Sequence, residues 1–137
     1  QWLATKSNLI RMGQRELIWT TLEHIHDLDS VFYYGAYYRY KGALLGRDPQ
    51  TENDTTGIRE AFDEAIRVSP DYLGNYTLMA QHYCPLAQDK NLFYSLLTKV
   101  VTTTPDPELP YYPENVYEKT VAERLMIKAE KENWFNL

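Results

Sequence analysis

The chain has almost nothing with which to crosslink itself. Cys84 is the only cysteine among 137 residues, so no internal disulfide can form and the fold must rest on packing. A lone thiol suits a cytoplasm and a bacterial periplasm equally. No apolar run approaches the ~20 residues needed to span a bilayer. Basic residues are in deficit: 14 Lys and Arg stand against 19 Asp and Glu, a net charge of −5. That balance argues against nucleic acid, whose phosphates demand a cationic surplus, and gives no reason for attraction to an anionic membrane surface. There is no Gly-rich phosphate loop, no initiator Met and no basic-then-apolar leader, so the sequence reads as a processed form or a fragment.

Catalytic constellations are missing as well. His24 and His26 are two residues apart, and on a helix they point about 200° apart, which defeats a shared metal. His82 lies beside Cys84 without a third partner in sequence, whereas a Cys nucleophile needs a positioned base. Cys84 fits better as a small buried apolar residue. Glu60, Asp63 and Glu64 share one polar helix face and read as solvated. Asn53-Asp54-Thr55 and Asn75-Tyr76-Thr77 are sequons, a pattern that arises readily by chance. The expectation is therefore a protein that is not an enzyme, with no catalytic residue, no metal and no cofactor.

What the chain does have is tyrosine, 12 against 4 Phe. A Tyr ring is apolar with a polar tip, which suits helix seams and half-exposed grooves. Helical spacing runs throughout. Ile18, Leu22 and Ile25 mark one face of a first helix over about 8–27. A second, over 31–45, is densely aromatic: Phe32, Tyr33, Tyr34, Tyr37, Tyr38 and Tyr40. A polar loop from Gly46 to Thr55 follows, with Thr55 or Thr56 placed to cap the next helix. The third helix, 56–68, buries Ile58, Phe62, Ala65 and Ile66 and stops at Pro70. The fourth covers 72–84. The fifth, 90–102, has Asp89 as its cap and Leu92, Phe93, Leu96, Leu97 and Val100 inward. A Pro-rich stretch leads to a last helix over 113–134, with Pro113 at its start and Tyr117, Val121, Leu125 and Ala129 at intervals of four, flanked by Ala122 and Met126.

The helices pair in a repeat. Tyr76-x2-Met79-Ala80-x2-Tyr83 followed by Phe93-x3-Leu97-x2-Val100-x4-Pro105 fits the TPR pattern. So does Val31-x2-Tyr34-Gly35-x2-Tyr38 followed by Ile58-x3-Phe62-x2-Ala65-x4-Pro70. Pro70 and Pro105 are 35 residues apart, close to the repeat's period of about 34. Gly35 and Ala80 are 45 apart, and the excess coincides with the polar loop. Small residues at 35 and 80 allow close helix crossings, while Phe62 and Tyr83 fill the seams. The expected fold is all-α: TPR-like antiparallel helix pairs with a C-terminal capping helix. It forms one domain over 1–137, with an N-terminal helix in 1–29, two degenerate repeats in 30–105 and the cap in 106–137.

In that register Tyr34 and Tyr38 pack inward, leaving Tyr33, Tyr37 and Tyr40 on another face at intervals of four and three. With Tyr76 and Tyr83 they form the candidate surface for a protein partner or an apolar ligand. The alternative is that the stripe packs on the N-terminal helix through Ile18, Leu22 and Ile25.

One stretch is more specific than a generic repeat: Met79-Ala80-x2-Tyr83-x-Pro85-x3-Asp89-x2-Leu92-Phe93-x2-Leu96-Leu97. With Tyr34-Gly35-Ala36-Tyr37-Tyr38, Gly46-x-Asp48-Pro49, Ala61-Phe62-x2-Ala65-Ile66 and the terminal Trp134-Phe135, it resembles the T-component family of TPR-associated TRAP transporters. The resemblance covers about Ser30 to Phe135. It implies a periplasmic, often lipid-anchored accessory protein of a Gram-negative bacterium, which docks the solute-binding protein of a secondary transporter. It also implies that homo-oligomers are within the family's range, some members being trimers whose subunits contain an apolar channel. Membrane attachment would come only through an anchor not present in this chain. The competing expectation is a structural or scaffolding subunit of another multi-protein complex in the bacterial envelope.

Overall fold

The computed structural model describes residues 14–24, 26–27 and 32–135. All regular structure among them is helical, as the periodicity requires. A helical segment over residues 14–24 precedes α1 (Phe32–Arg47), α2 (Thr55–Val68), α3 (Gly74–His82), α4 (Cys84–Ala87), α5 (Lys90–Thr102) and α6 (Tyr112–Lys131). Ile25 and Val31, and the part of the first helix expected before residue 14, lie outside the described residues.

Element ends follow local chemistry. Asp54, not Thr55 or Thr56, caps α2, its carboxylate accepting from the Gly57 N–H at 3.0 Å. A carboxylate at a helix N-terminus gains from the dipole as well as the hydrogen bond, so it outcompetes a hydroxyl one position on. Asp89 caps α5 as expected, accepting from Leu92. The fourth helix breaks earlier than its spacing suggests. It ends at His82, and a separate turn, α4, follows with Pro85 near its start. Gln88, at φ 52°, stops that turn and opens the way to Asp89.

The start of α1 is unusual. Tyr33, Tyr34 and Gly35 have φ of 45°, 60° and 82°, so three residues wind left-handed before the right-handed helix proceeds. Glycine tolerates this, but each tyrosine pays roughly 1–2 kcal/mol. Hydrogen bonds from two buried side chains offset the strain. The Arg39 guanidinium donates to Tyr34 O at 3.1 Å and Tyr33 O at 3.4 Å, and Asn75 Nδ2 donates to Tyr34 O at 3.2 Å.

Helices α1 and α2 lie antiparallel, Gly35 against Ala65 and Gly42 against Phe62. A Cβ on Gly35 would stand 3.0 Å from Ala65 O, and one on Gly42 would stand 2.6 Å from the Phe62 ring. Helices α3 and α5 form a second pair, against which α6 packs. The shared core is Ile58, Phe62, Met79, Ala80, Phe93, Leu97, Val100 and Ala122, with Tyr83 and Cys84 also buried. Burying an Ile, Leu, Phe or Met side chain contributes about 1.5–3 kcal/mol, so this core is the main stabilising term.

One apolar face differs from expectation. On α6 the buried positions are Asn115, Ala122, Leu125 and Ala129, while Tyr117 is 55% exposed. A strict interval of four drifts about 40° per step around a helix of 3.6 residues per turn, so Tyr117 has rotated off the face that Leu125 occupies. At the end of α6 the chain turns back. Trp134 and Phe135 lie with ring centroids 5.8 and 5.1 Å from that of Phe93.

A polar node sits inside this apolar frame. Asn75 is fully buried and donates to Tyr34 O, Ala65 O and Ser69 O, while its Oδ1 accepts from Arg39 at 2.8 Å. Asn115 accepts from Leu73 N–H and donates to Asp71 O. The Tyr76 hydroxyl donates to Pro70 O at 2.6 Å. These side chains together add hydrogen bonds to the backbone of the turn between α2 and α3 and tie it to α1 and α6. Arg39 is 2% exposed and makes no ion pair among the described residues. Carbonyl and amide oxygens, with the Tyr72 face 4.6 Å away, stand in for a counter-ion.

Candidate functional site

Two surfaces of α1 have different tasks. Its glycines face α2 and α3–α4; a Cβ on Gly46 would lie 2.9 Å from His82 O. Its other side meets the N-terminal helical segment, which runs antiparallel to it. Arg15 pairs with Asp48 at 3.2 Å, the Tyr37 hydroxyl donates to Glu23 at 2.9 Å, and the His26 ring lies 4.4 Å from that of Tyr37.

Between these tethers the helices do not close on one another. They leave a groove of about 420 Å³ lined by Leu17, Ile18, Thr21 and Leu22 on one wall and Tyr40, Ala43, Leu44 and Arg47 on the other. Leu22 is buried, but Leu17, Ile18 and Tyr40 are 67%, 45% and 48% exposed. The lining is apolar apart from Thr21, the Tyr40 hydroxyl and Arg47 at the end of α1. A volume in this range with few polar groups suits binding. Its described lining holds no Cys, His or carboxylate side chain. Among the described residues no group of three His, Cys, Asp or Glu is placed to hold a metal ion.

The tyrosines of the candidate stripe are divided. Tyr33 and Tyr40 are each 48% exposed, while Tyr37 is 5% exposed beneath the N-terminal segment. The left-handed turn resets the helical phase between Tyr33 and Tyr37, and the N-terminal segment covers Tyr37 but not Tyr40. The Tyr33 hydroxyl reaches Glu114 of α6 at 3.2 Å. Tyr76 and Tyr83 are core residues: Tyr76 is anchored on Pro70 O, and Tyr83 lies under the Arg59 guanidinium. Tyr40 is thus the stripe residue that lines the groove.

Four tyrosines form a cluster at the other end of α1. Tyr33, Tyr34, Tyr72 and Tyr111 have ring centroids 4.4–6.2 Å apart. Burial pushes the Tyr72 hydroxyl up to about 12, with the Arg39 charge pulling the other way. Tyr37 is also pushed up to about 12, by burial first and by its bond to Glu23 second. In the interior, burial raises the Cys84 thiol to about 12, so it is neither a thiolate nor a nucleophile at neutral pH. Burial also lowers His82, with the Arg47 charge adding to the effect.

Leu17, Thr21, Ala43, Leu44 and Arg47 line the groove although no motif singles them out. A signal was present: Leu17 and Ile18, then Thr21 and Leu22, make a stripe two residues wide, broader than one helix contact consumes. Asn75 and Asn115 also carry a signal, since each sits in phase with core positions.

The family model described as TRAP transporter T-component matches residues 4–135, nearly the whole chain. No curated protein matches the sequence.

Proposed function

We propose, from the premise that the chain belongs to the TRAP transporter T-component family, that it is a non-enzymatic, periplasmic accessory subunit that docks the transporter's solute-binding protein. Membership makes it a component associated with a TRAP transporter complex. The match over residues 4–135 carries this reading. We read its antiparallel helix pairs as degenerate TPR-like repeats, an architecture that works by presenting helix faces to partners. No helix among the described residues is long and apolar enough to cross a membrane. The docking surface is the groove between the N-terminal helical segment and α1. Its exposed Ile18 and Tyr40 offer the apolar, aromatic anchors in which interface energy concentrates.

The test is direct binding between this chain and the solute-binding protein of a TRAP system from the same genome. Ile18→Asp and Tyr40→Ala are expected to keep the helical spectrum and melting behaviour of the parent. Each is expected to weaken the complex by roughly 10-fold or more, the loss typical of a central anchor. A complex of unchanged affinity in both variants places docking elsewhere. Failure of the parent chain to bind any such protein removes the docking reading itself.

A further inference from the structure

We propose that the outward face of α6 is an interface through which two copies of this chain pair antiparallel about a two-fold axis. The inward face of α6 is occupied by Asn115, Ala122, Leu125 and Ala129. Yet Tyr112, Val116, Tyr117 and Ile127 stand 38%, 43%, 55% and 66% exposed on the same helix. A helix that only meets water carries polar residues opposite its core stripe, so apolar residues gathered there mark a surface that meets a partner. At about 100° per residue, Val116, Thr120 and Ile127 fall on a line opposite the buried stripe. Glu114, Tyr117, Arg124 and Lys128 follow one edge of that line, and Tyr112, Lys119, Glu123 and Glu130 follow the other.

Charge placement along these edges selects a second copy as the partner. In an antiparallel pair centred near residue 121, each edge lies along the same edge of the other copy, run in reverse. Val116 then faces Ile127 across the seam. Glu114 faces Lys128, the Tyr112 hydroxyl faces Glu130, and Lys119 faces Glu123 while also donating to its own Thr103 O at 2.9 Å. Arg124 faces the Tyr117 ring, whose π surface attracts a guanidinium. The two-fold axis makes each of these contacts twice, the self-complementary geometry of a closed dimer. Each named charge meets one of opposite sign or a tyrosine, and antiparallel helix dipoles attract. A parallel pair would instead set Arg124 beside Arg124 and Lys131 beside Lys131 close to the seam, like charges at short range. One pair of 20-residue helices lies at the low end of interface size, so the association is expected to depend on concentration.

Sedimentation equilibrium of the full chain tests the pairing. Ile127→Asp alters an exposed side chain, so the helical spectrum and melting of dilute protein are expected to stay close to those of the parent. Each dimer holds the Ile127 contact twice, and a loss of roughly 10-fold at each is expected to weaken dimerisation about 100-fold. A second experiment reads the direction of the helices. Chains carrying Val116→Cys are mixed with chains carrying Ile127→Cys and oxidised, and the mixed 116–127 disulfide is expected to dominate. Positions 116 and 127 lie about 16 Å apart along the helix, so in the antiparallel register a cysteine at either one stands about that far from its own counterpart, beyond the reach of a disulfide. A parent chain that stays monomeric at its highest soluble concentration, a stoichiometry of three, dimerisation untouched by Ile127→Asp, or 116–116 and 127–127 disulfides in excess of the mixed one would each overturn the proposal. None of these outcomes involves Ile18, Tyr40 or the solute-binding protein, so the docking reading stands or falls separately.

Discussion

At the scale of single residues, burial sets the chemistry. Cys84 is fully buried, and its thiol is raised to about 12 by loss of solvent. Both access and ionisation are thus withdrawn from an electrophile. A maleimide is expected to label Cys84 slowly in the native chain and rapidly in denaturant, and fast native labelling would contradict the packing around α4. Asn75 has the opposite character, a polar side chain whose every capacity is used. Asn75→Ala leaves the buried carbonyls of Ala65 and Ser69, and the Arg39 guanidinium, short of a partner. The two carbonyls keep the Ser69 and Tyr72 N–H donors, and Arg39 keeps the Tyr33 and Tyr34 carbonyls, so the expected loss is about 1–3 kcal/mol. Urea unfolding reads it, and a change below about 1 kcal/mol would mean that water replaces the amide.

At the scale of elements, small residues decide how closely helices approach. Ala80 is wholly buried where α3 meets α5, and Gly42 abuts the Phe62 ring. Ala80→Leu adds three carbons to a filled seam and is expected to cost roughly 1–3 kcal/mol. Gly42→Ala adds one carbon 2.6 Å from a ring. Against that clash stands a gain of about 1 kcal/mol in helix propensity, so its net cost is expected to be the smaller of the two. Thermal melts of both variants rank them, and the reverse order would show that the Phe62 ring cannot move aside. The left-handed turn of α1 belongs to this scale too, since it sets Tyr33 out of phase with the tyrosines that follow it.

At the scale of the whole molecule, titration of buried acids couples to unfolding. Cys84 and the tyrosines 37 and 72 all rise to about 12, from ordinary values of 9.0 and 10.0. The folded chain keeps these protons to higher pH than the unfolded chain does. Their contribution is complete below the unfolded values and drains away as pH climbs toward 12. The melting temperature is expected to hold through neutral pH and fall steeply above about pH 10. Tyr37→Phe and Tyr72→Phe are expected to flatten the decline. An unchanged slope in both would assign the alkaline loss to general charge repulsion.

Which residues recur at helical spacing is a local matter, and the sequence by itself determined most of it. The helix order, the Asp89 cap, the buried Phe62, Ala80, Tyr83 and Cys84, and the family resemblance were all legible in the chain. What it left undecided depended on neighbours distant in sequence. Tyr37 is buried because residues 14–24 fold across it, and no spacing within α1 distinguishes it from Tyr40. Arg39 looks like a surface residue until the Tyr33 and Tyr34 carbonyls and the Asn75 amide oxygen converge on it. Tyr117 stands at a regular interval, yet the direction from which α3 and α5 approach α6 chose the Asn115–Ala122–Leu125–Ala129 face instead. The groove is a space between two helices, and only the tertiary structure decided that Leu17, Ile18, Tyr40 and Leu44 would face each other without touching closely enough to exclude it. Periodicity reports which side of a helix is apolar; how far apart two apolar sides come to rest is set by every other contact that holds them.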